Sequence, residues 1–350
     1  MKNNILKYSI LFLFILVILI VYLSTLGIET NKFNNQIKNR ISQINENIDI
    51  ELKNIKLILD PFKFKVYAKT ARATVFFTKR RLSLENIKAE VSLSSLIKNK
   101  IISSNIELKT RSLKLNDLIK FIRATNNKPE LFILEKIVKK GHITLDISLN
   151  IDENGKIKNN YEIKGQMKDA NINFLNQAKF NNINFNFNIK KDNYLLNDIQ
   201  FKTEEVNFIS KKIDINKKKN SFLIEGIIKN DLSNLNLNIL KLLNLNFENI
   251  EINEVKFKTD NKFSLKIDEK FKLKNIIINS DININHLKYK KIDIFQNYLS
   301  DVNDLILLNN HKLNLNYKDK NLSIKGEGEI KLIDGEVDQI NYFISKKDKD

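Results

Sequence analysis

The chain has no cysteine and only two prolines, Pro61 and Pro129, among its 350 residues. Without cysteine there is no disulfide framework, no thiolate metal site and no lipidated thiol. Without Pro-rich or Gly/Ser-rich stretches there is no marked linker, so a length that ordinarily divides into two or three domains reads as one continuous body. Histidine is scarce as well. His142, His286 and His311 lie far apart, with no HExxH or other paired-ligand spacing, and no metal site is expected. Asp146 with Asp152, and Glu327 with Glu329, share strand parity, but a solvated strand face accounts for them without chemistry. Gly326 and Gly328 lie inside an alternating strand with no helix after them to form a phosphate loop, so they are expected to relieve crowding or permit a bend. No catalytic residues and no cofactor are assigned.

Positive charge is abundant, with a formal net charge of +18. The lysines are scattered over polar strand positions and turns rather than gathered in a stripe, and no zinc-finger, helix-turn-helix or RNA-binding sheet pattern accompanies them. Nucleic acid is therefore not an expected partner. A diffuse attraction to anionic membrane surfaces fits the charge better.

What dominates the chain is alternation. From Asn182 to Ile189 every second residue is apolar, so Ile183, Phe185, Phe187 and Ile189 share one face of a strand and four asparagines share the other. The same grammar recurs at Ile172–Phe174, Leu235–Ile239, Leu245–Phe257, Ile282–Tyr289, Leu313–Tyr317 and Leu322–Leu332. Turn chemistry at residues 153–156, 190–193, 217–220, 260–262 and 318–321 separates the runs and predicts an antiparallel meander. Three coverings of the apolar face are open: a second sheet, closure into a barrel, or a bound ligand.

The chain begins differently. Residues 8–28 carry no charge, and as a helix would measure about 31 Å, the thickness of a bilayer core. We read 1–7 as a cytoplasmic tail, 8–28 as an uncleaved transmembrane anchor and 29–47 as a juxtamembrane helix, with Phe33, Ile37, Ile41, Ile44 and Ile48 at helical spacing and Thr30 or Asn31 as its cap. From residue 48 the period becomes two. Ile48, Ile50 and Leu52 precede Ile55, Leu57 and Leu59 on the opposite parity, which predicts a bulge or tight turn at Lys53–Asn54. Pro61 ends that strand and Phe62, Phe64, Val66 and Ala68 begin the next, followed by strands at 73–77, 82–93 and 101–108. One helical insertion, about 115–140, interrupts the β-domain of residues 48–350. Leu115, Leu118, Ile119 and Ile122 form the apolar stripe of its first helix; Pro129 opens the second, and Lys139, Lys140 and Gly141 end it. The pair is expected as a lid on the sheet, as a gate to a groove, or lying on a membrane. A further short helix is expected near 295–305.

A short tail, one anchor, a helix, a strand pair joined around Asp60 and Pro61, and the amphipathic run from Leu82 through Ile87 to Leu96 resemble the start of AsmA-like proteins, the bridge-like lipid-transfer family that includes the TamB and YhdP types of Gram-negative bacteria. The resemblance covers residues 8–125 and continues as pattern only. It implies a mainly β protein tethered to the inner membrane, with its body in the periplasm and a long open groove conducting phospholipid toward the outer membrane in outer-membrane biogenesis. This chain departs from the larger members in its length and in its charged tail at 346–350. Under this resemblance Ile183, Phe185, Phe187, Ile189, Phe257 and Leu313 line the groove and contact acyl chains, while Leu115, Leu118, Ile119 and Ile122 belong to a gating helix. About twenty strands at a spacing of about 4.8 Å would make a trough about 90–100 Å long. The alternative is a non-enzymatic structural or adaptor protein with a closed sandwich or barrel that binds other envelope proteins. The uncharged length of 8–28 has a direct consequence: alkaline carbonate extraction leaves the protein in the membrane pellet, and a shortened soluble form would instead mark a cleaved signal.

Overall fold

The computed structural model describes residues 2–94, 104–126, 128–152, 156–174, 178–235, 255–268, 272–290, 305–332 and 335–346. The predicted strand at 245–257 lies largely outside them and the helix near 295–305 almost wholly so. Four helices are described: α1 (Lys2–Thr25), α2 (Asn34–Ile44), α3 (Leu115–Thr125) and α4 (Pro129–Ile137). The strands are β1 (Ile28–Thr30), β2 (Ile48–Glu51), β3 (Ile55–Asp60), β4 (Lys65–Ala71), β5 (Thr74–Phe77), β6 (Arg80–Ser92), β7 (Ser104–Thr110), β8 (Leu113–Lys114), β9 (Val138–Ile151), β10 (Glu162–Phe174), β11 (Ala178–Lys190), β12 (Asn193–Thr203), β13 (Val206–Lys218), β14 (Ser221–Asn234), β15 (Lys256–Asp268), β16 (Leu273–Lys290), β17 (Leu305–Lys318), β18 (Asn321–Leu332) and β19 (Val337–Lys346). The protein is mainly β, with its 19 strands in one antiparallel sheet. The sheet is open: β19 is hydrogen-bonded to β18 alone. A closed barrel is therefore not formed, nor a sandwich of two separate sheets among the described residues.

The chain parts into two compact units, Met1–Lys136 with His142–Gln166, and Ile137–Gly141 with Met167–Asp350. No linker marks the division because it falls inside strands: β9 and β10 each give residues to both units.

In the first unit, residues 6–25 of α1 form a span of 20 residues with mean hydropathy 2.6, long and apolar enough to cross a membrane. The helix stops at Thr25, short of the expected residue 28, because Gly27 takes the left-handed region (φ +67°) and Ile28–Thr30 joins the sheet against Leu57–Ile55. α2 is shorter than 29–47, and neither Thr30 nor Asn31 caps it with a side chain; Phe33 stands at the cap position. Strands β3, β4, β6, β7 and β9 follow as antiparallel neighbours. β2 pairs instead with β5, and β5 with the first residues of β6. The parity change at Lys53–Asn54 is thus neither bulge nor hairpin but the crossing from β2 to β3, which are not partners. Phe62 and Phe64 lie in the β3–β4 turn rather than in the next strand, and Phe64 has φ +51°. The second helix of the insertion ends at Ile137, so Lys139, Lys140 and Gly141 are strand residues. Gly141 (φ +139°) is no helix cap; a Cβ there would stand 2.8 Å from the Ala170 Cβ, and the glycine permits that close approach.

The second unit is a meander from β11 to β19. Asp260–Lys262, expected as a turn, lies inside β15, where the Asn261 amide donates to the Ile228 carbonyl at 3.1 Å. The β12–β13 turn falls at Glu204–Glu205, both with positive φ, where two acidic residues gave no turn signal.

Gly27 carries the junction of helix and sheet. An added Cβ would collide with the Leu57 carbonyl oxygen and stand 3.0 Å from Ile58 Cγ1. Gly27→Ala is expected to destabilise the first unit by about 1–2 kcal/mol or more from the left-handed backbone alone, read as a lower urea midpoint of the solubilised protein.

Candidate functional site

A single face in each unit gathers the apolar side chains. In the first unit directly opposed residues form three rows: Ile28–Leu57–Ala68–Ala89–Ile106–Leu149, Ile55–Thr70–Ile87–Leu108–Ile147, and Leu59–Val66–Val91–Ser104–Ile151. The opposite face carries cross-strand ion pairs, Lys65–Glu90, Lys88–Glu107 at 3.5 Å and Lys109–Asp146 at 2.8 Å. The Asp146 carboxylate, hydrogen-bonded to Lys109, raises that ammonium's pKa above its ordinary value. Asp146 is thereby occupied, while Asp152 accepts the Lys156 amide in a turn, so the two carboxylates do not work together.

In the second unit one row runs Phe187–Leu196–Ile213–Gly226–Phe263–Ile278–Tyr317–Leu322, and another Phe201–Phe208–Asn230–Thr259–Ile282–Leu313–Gly326–Tyr342. Rings fill it: Phe201 stacks on Phe208 with centroids 5.2 Å apart, Phe180 meets Phe201 edge-on at 5.8 Å, and Phe185 meets Phe187 at 6.1 Å.

These rows survive because the strands carry extra residues. Asn182, Asp198, Asn275 and Asn310 each lie inside a strand with φ between +48° and +52°. Each resets the alternation, so Phe180 and Ile183, Leu196 and Ile199, Leu273 and Ile276, and Leu308 and His311 face the same way although three apart. Asn and Asp are the side-chain-bearing residues that tolerate this conformation best. They also satisfy backbone groups that an irregular strand leaves unpaired: Asn184 Oδ1 accepts the Asp169 amide at 3.0 Å, and Asn171 Oδ1 the Asn182 amide at 3.1 Å. Asn230, fully buried, does this twice, accepting the Thr259 amide at 2.9 Å and donating to the Phe257 carbonyl at 3.2 Å beside the β14 bulge. The amide of Asn230, on the apolar face, thus serves the backbone.

The six residues expected to line a groove fall as follows. Ile183, Phe185, Phe187 and Ile189 share the inward face of β11; Phe187 and Phe257 are buried, and Leu313 stands in the Phe201 row. Phe201, Phe208, Phe263 and Tyr317 belong to the same face and were not singled out, although they alternate equally well, because the parity resets hide which runs are continuous. The three histidines are interior to strands and do not converge: His142 is exposed, His286 Nδ1 lies 2.6 Å from Asn309 Oδ1, and buried His311 sits with Nε2 3.0 Å from the Glu329 carbonyl. Among the described residues no cluster of metal-ligating side chains occurs. Burial raises the Tyr342 phenol above its ordinary pKa. Leu115, Leu118 and Ile119 of α3 are buried against β5, β6 and β8, with Ile122 more exposed. Arg123 pairs with Glu135 at 2.9 Å and ties α3 to α4.

No protein-family model matches the chain, and no solved structure matches it.

Gly326 and Gly328 make room for rings. A Cβ on Gly328 would stand 2.6 Å from the ring of buried His311, and one on Gly326 would strike the ring of Tyr342. Gly328→Ala is expected to cost about 1–3 kcal/mol in a thermal melt, since His311 is hemmed in. Gly326→Ala should cost less, because Tyr342 belongs to edge strand β19 and can swing aside.

Proposed function

We propose that the protein is a non-enzymatic, membrane-anchored lipid-transfer protein of the AsmA-like kind. In this reading α1 crosses the bacterial inner membrane, the β-body lies in the periplasm, and its apolar face is a groove that carries phospholipid between inner and outer membrane in support of outer-membrane biogenesis. The observation that carries the proposal is an open sheet whose one face is apolar row after row. Acyl chains suit such a face: each buried methylene contributes about 0.8 kcal/mol, and no directional bond holds a lipid in one place. Asn230 and the buried His311 on that face are already engaged with backbone groups, so neither is a ready headgroup ligand.

Phe185→Asp tests the proposal. On a lipid-filled face the carboxylate reaches water or headgroups, so the variant folds with a normal melt while co-purifying lipid, read by native mass spectrometry, falls. Loss of folding would show a dry core, and full lipid load with normal folding would show that the face carries no lipid. For the compartment, Lys156→Cys in this cysteine-free chain should react with an impermeant thiol reagent in intact spheroplasts; labelling only after lysis would place the body in the cytoplasm.

A further inference from the structure

We infer that the β3–β4 turn, residues 61–64, is a second membrane contact, seated in the headgroup region of the bilayer that α1 crosses. The inference rests on α1 as the spanning helix of the proposed function, but not on lipid transfer.

The register sets the depth of the turn. β1 leaves α1 after two residues and pairs antiparallel with β3, Ile28 opposite Leu57, so β3 beyond Leu57 runs back toward the helix. α1 packs against β3. The part-buried residues of α1 are Ile20, Leu23 and Ser24, one stripe on its last turns. From Leu57 to Asp60 the strand advances about 10 Å, which brings the start of the turn alongside those residues. Tyr22, exposed at the same level of α1, is an aromatic of the kind that settles at headgroup depth.

The turn is built to present apolar rings there. Phe62 is 94% exposed and Phe64 70%. Their exposure is imposed by the backbone: the Asp60 carboxylate accepts the Lys63 amide at 3.0 Å, Phe64 holds a left-handed conformation, and its carbonyl accepts the Leu93 amide at 2.8 Å. A soluble tip would carry polar residues, whereas this one alternates Phe62 and Phe64 with Lys63, whose exposed ammonium, in a long 3.9 Å ion pair with Asp60, has the stem length to reach phosphate while the rings enter the acyl boundary. Ile157, 58% exposed just past the end of β9, lies at the same end of the first unit's strands, since Ile151 continues the row of Leu59, Val66 and Val91. α3 and α4 lie at the other end, where β8 pairs with the start of β9, so the exposed Ile133 of α4 serves as an internal comparison.

The chain contains no tryptophan, so single tryptophans report without background. Phe62→Trp, Phe64→Trp, Ile133→Trp and Leu16→Trp are placed in the full-length protein in vesicles of phosphatidylethanolamine and phosphatidylglycerol, with and without lipids brominated along the chain. The expected result is strong quenching at position 16, and at 62 and 64 a shift of emission to shorter wavelength with quenching by bromines near the headgroup end. Position 133 should be unshifted and unquenched. Quenching at 16 with 62 and 64 behaving like 133 would overturn the second contact while leaving the anchor intact. Absence of quenching at 16 would overturn both. The side chains replaced at 62 and 64 are largely exposed, so folding is expected to survive, and agreement of the two positions is required.

Discussion

A strand keeps one face dry only while its apolar residues alternate, and each inserted residue reverses that alternation. Everything else in this protein depends on how that constraint is met. Long strands twist and bend, and relieving the bend takes extra residues. At Asn182, Asp198, Asn275 and Asn310 the inserted residue is Asn or Asp in left-handed conformation, and the hydrophobic pattern restarts on the other sequence parity immediately afterwards. The result is a face that stays apolar across Phe180 and Ile183, or Leu196 and Ile199, although the primary sequence has slipped by one.

Several asparagines answer to the same constraint. At a bulge the ladder leaves backbone donors and acceptors without a strand partner, and leaving such groups buried and unpaired costs about 1–3 kcal/mol each. An Asn side chain carries both an acceptor and a donor of the peptide kind, so it substitutes for the missing partner. Asn230 does so between β14 and β15 with both of its amide atoms. Polar residues on an apolar face are thereby consistent with a surface that holds no specific ligand group.

The first unit solves a different problem, turning a helix long and apolar enough to cross a membrane into a sheet within a few residues. Gly27 makes the turn, β1 pairs at once with β3, and the helix gains a protein neighbour at its end while the rest of the span stays exposed. That direct junction ties the orientation of the sheet's first strands to the helix, whereas a flexible linker would have left them free.

Strand content, the antiparallel order of the later strands, the apolar span and the two-helix insertion were legible in the sequence, because period, length and charge are local properties. Ile183, Phe185, Phe187 and Ile189 could be placed on one face from eight residues alone. The partner of each strand was not legible: β2 lies beside β5 rather than β3, since pairing depends on contacts distant in sequence. Asp260–Lys262 looked like a turn and is strand, because an Asn side chain there is engaged by the neighbouring strand. Glu204–Glu205 carried no turn signal and is a turn, because the pairing of β12 with β13 overrides the weak turn preference of glutamate. Gly141 looked like a helix cap and instead admits Ala170. Alternation determined that each strand has an apolar side; only the tertiary structure decided that these sides coincide, since whether a bulge preserves or reverses a face depends on the register of its neighbours.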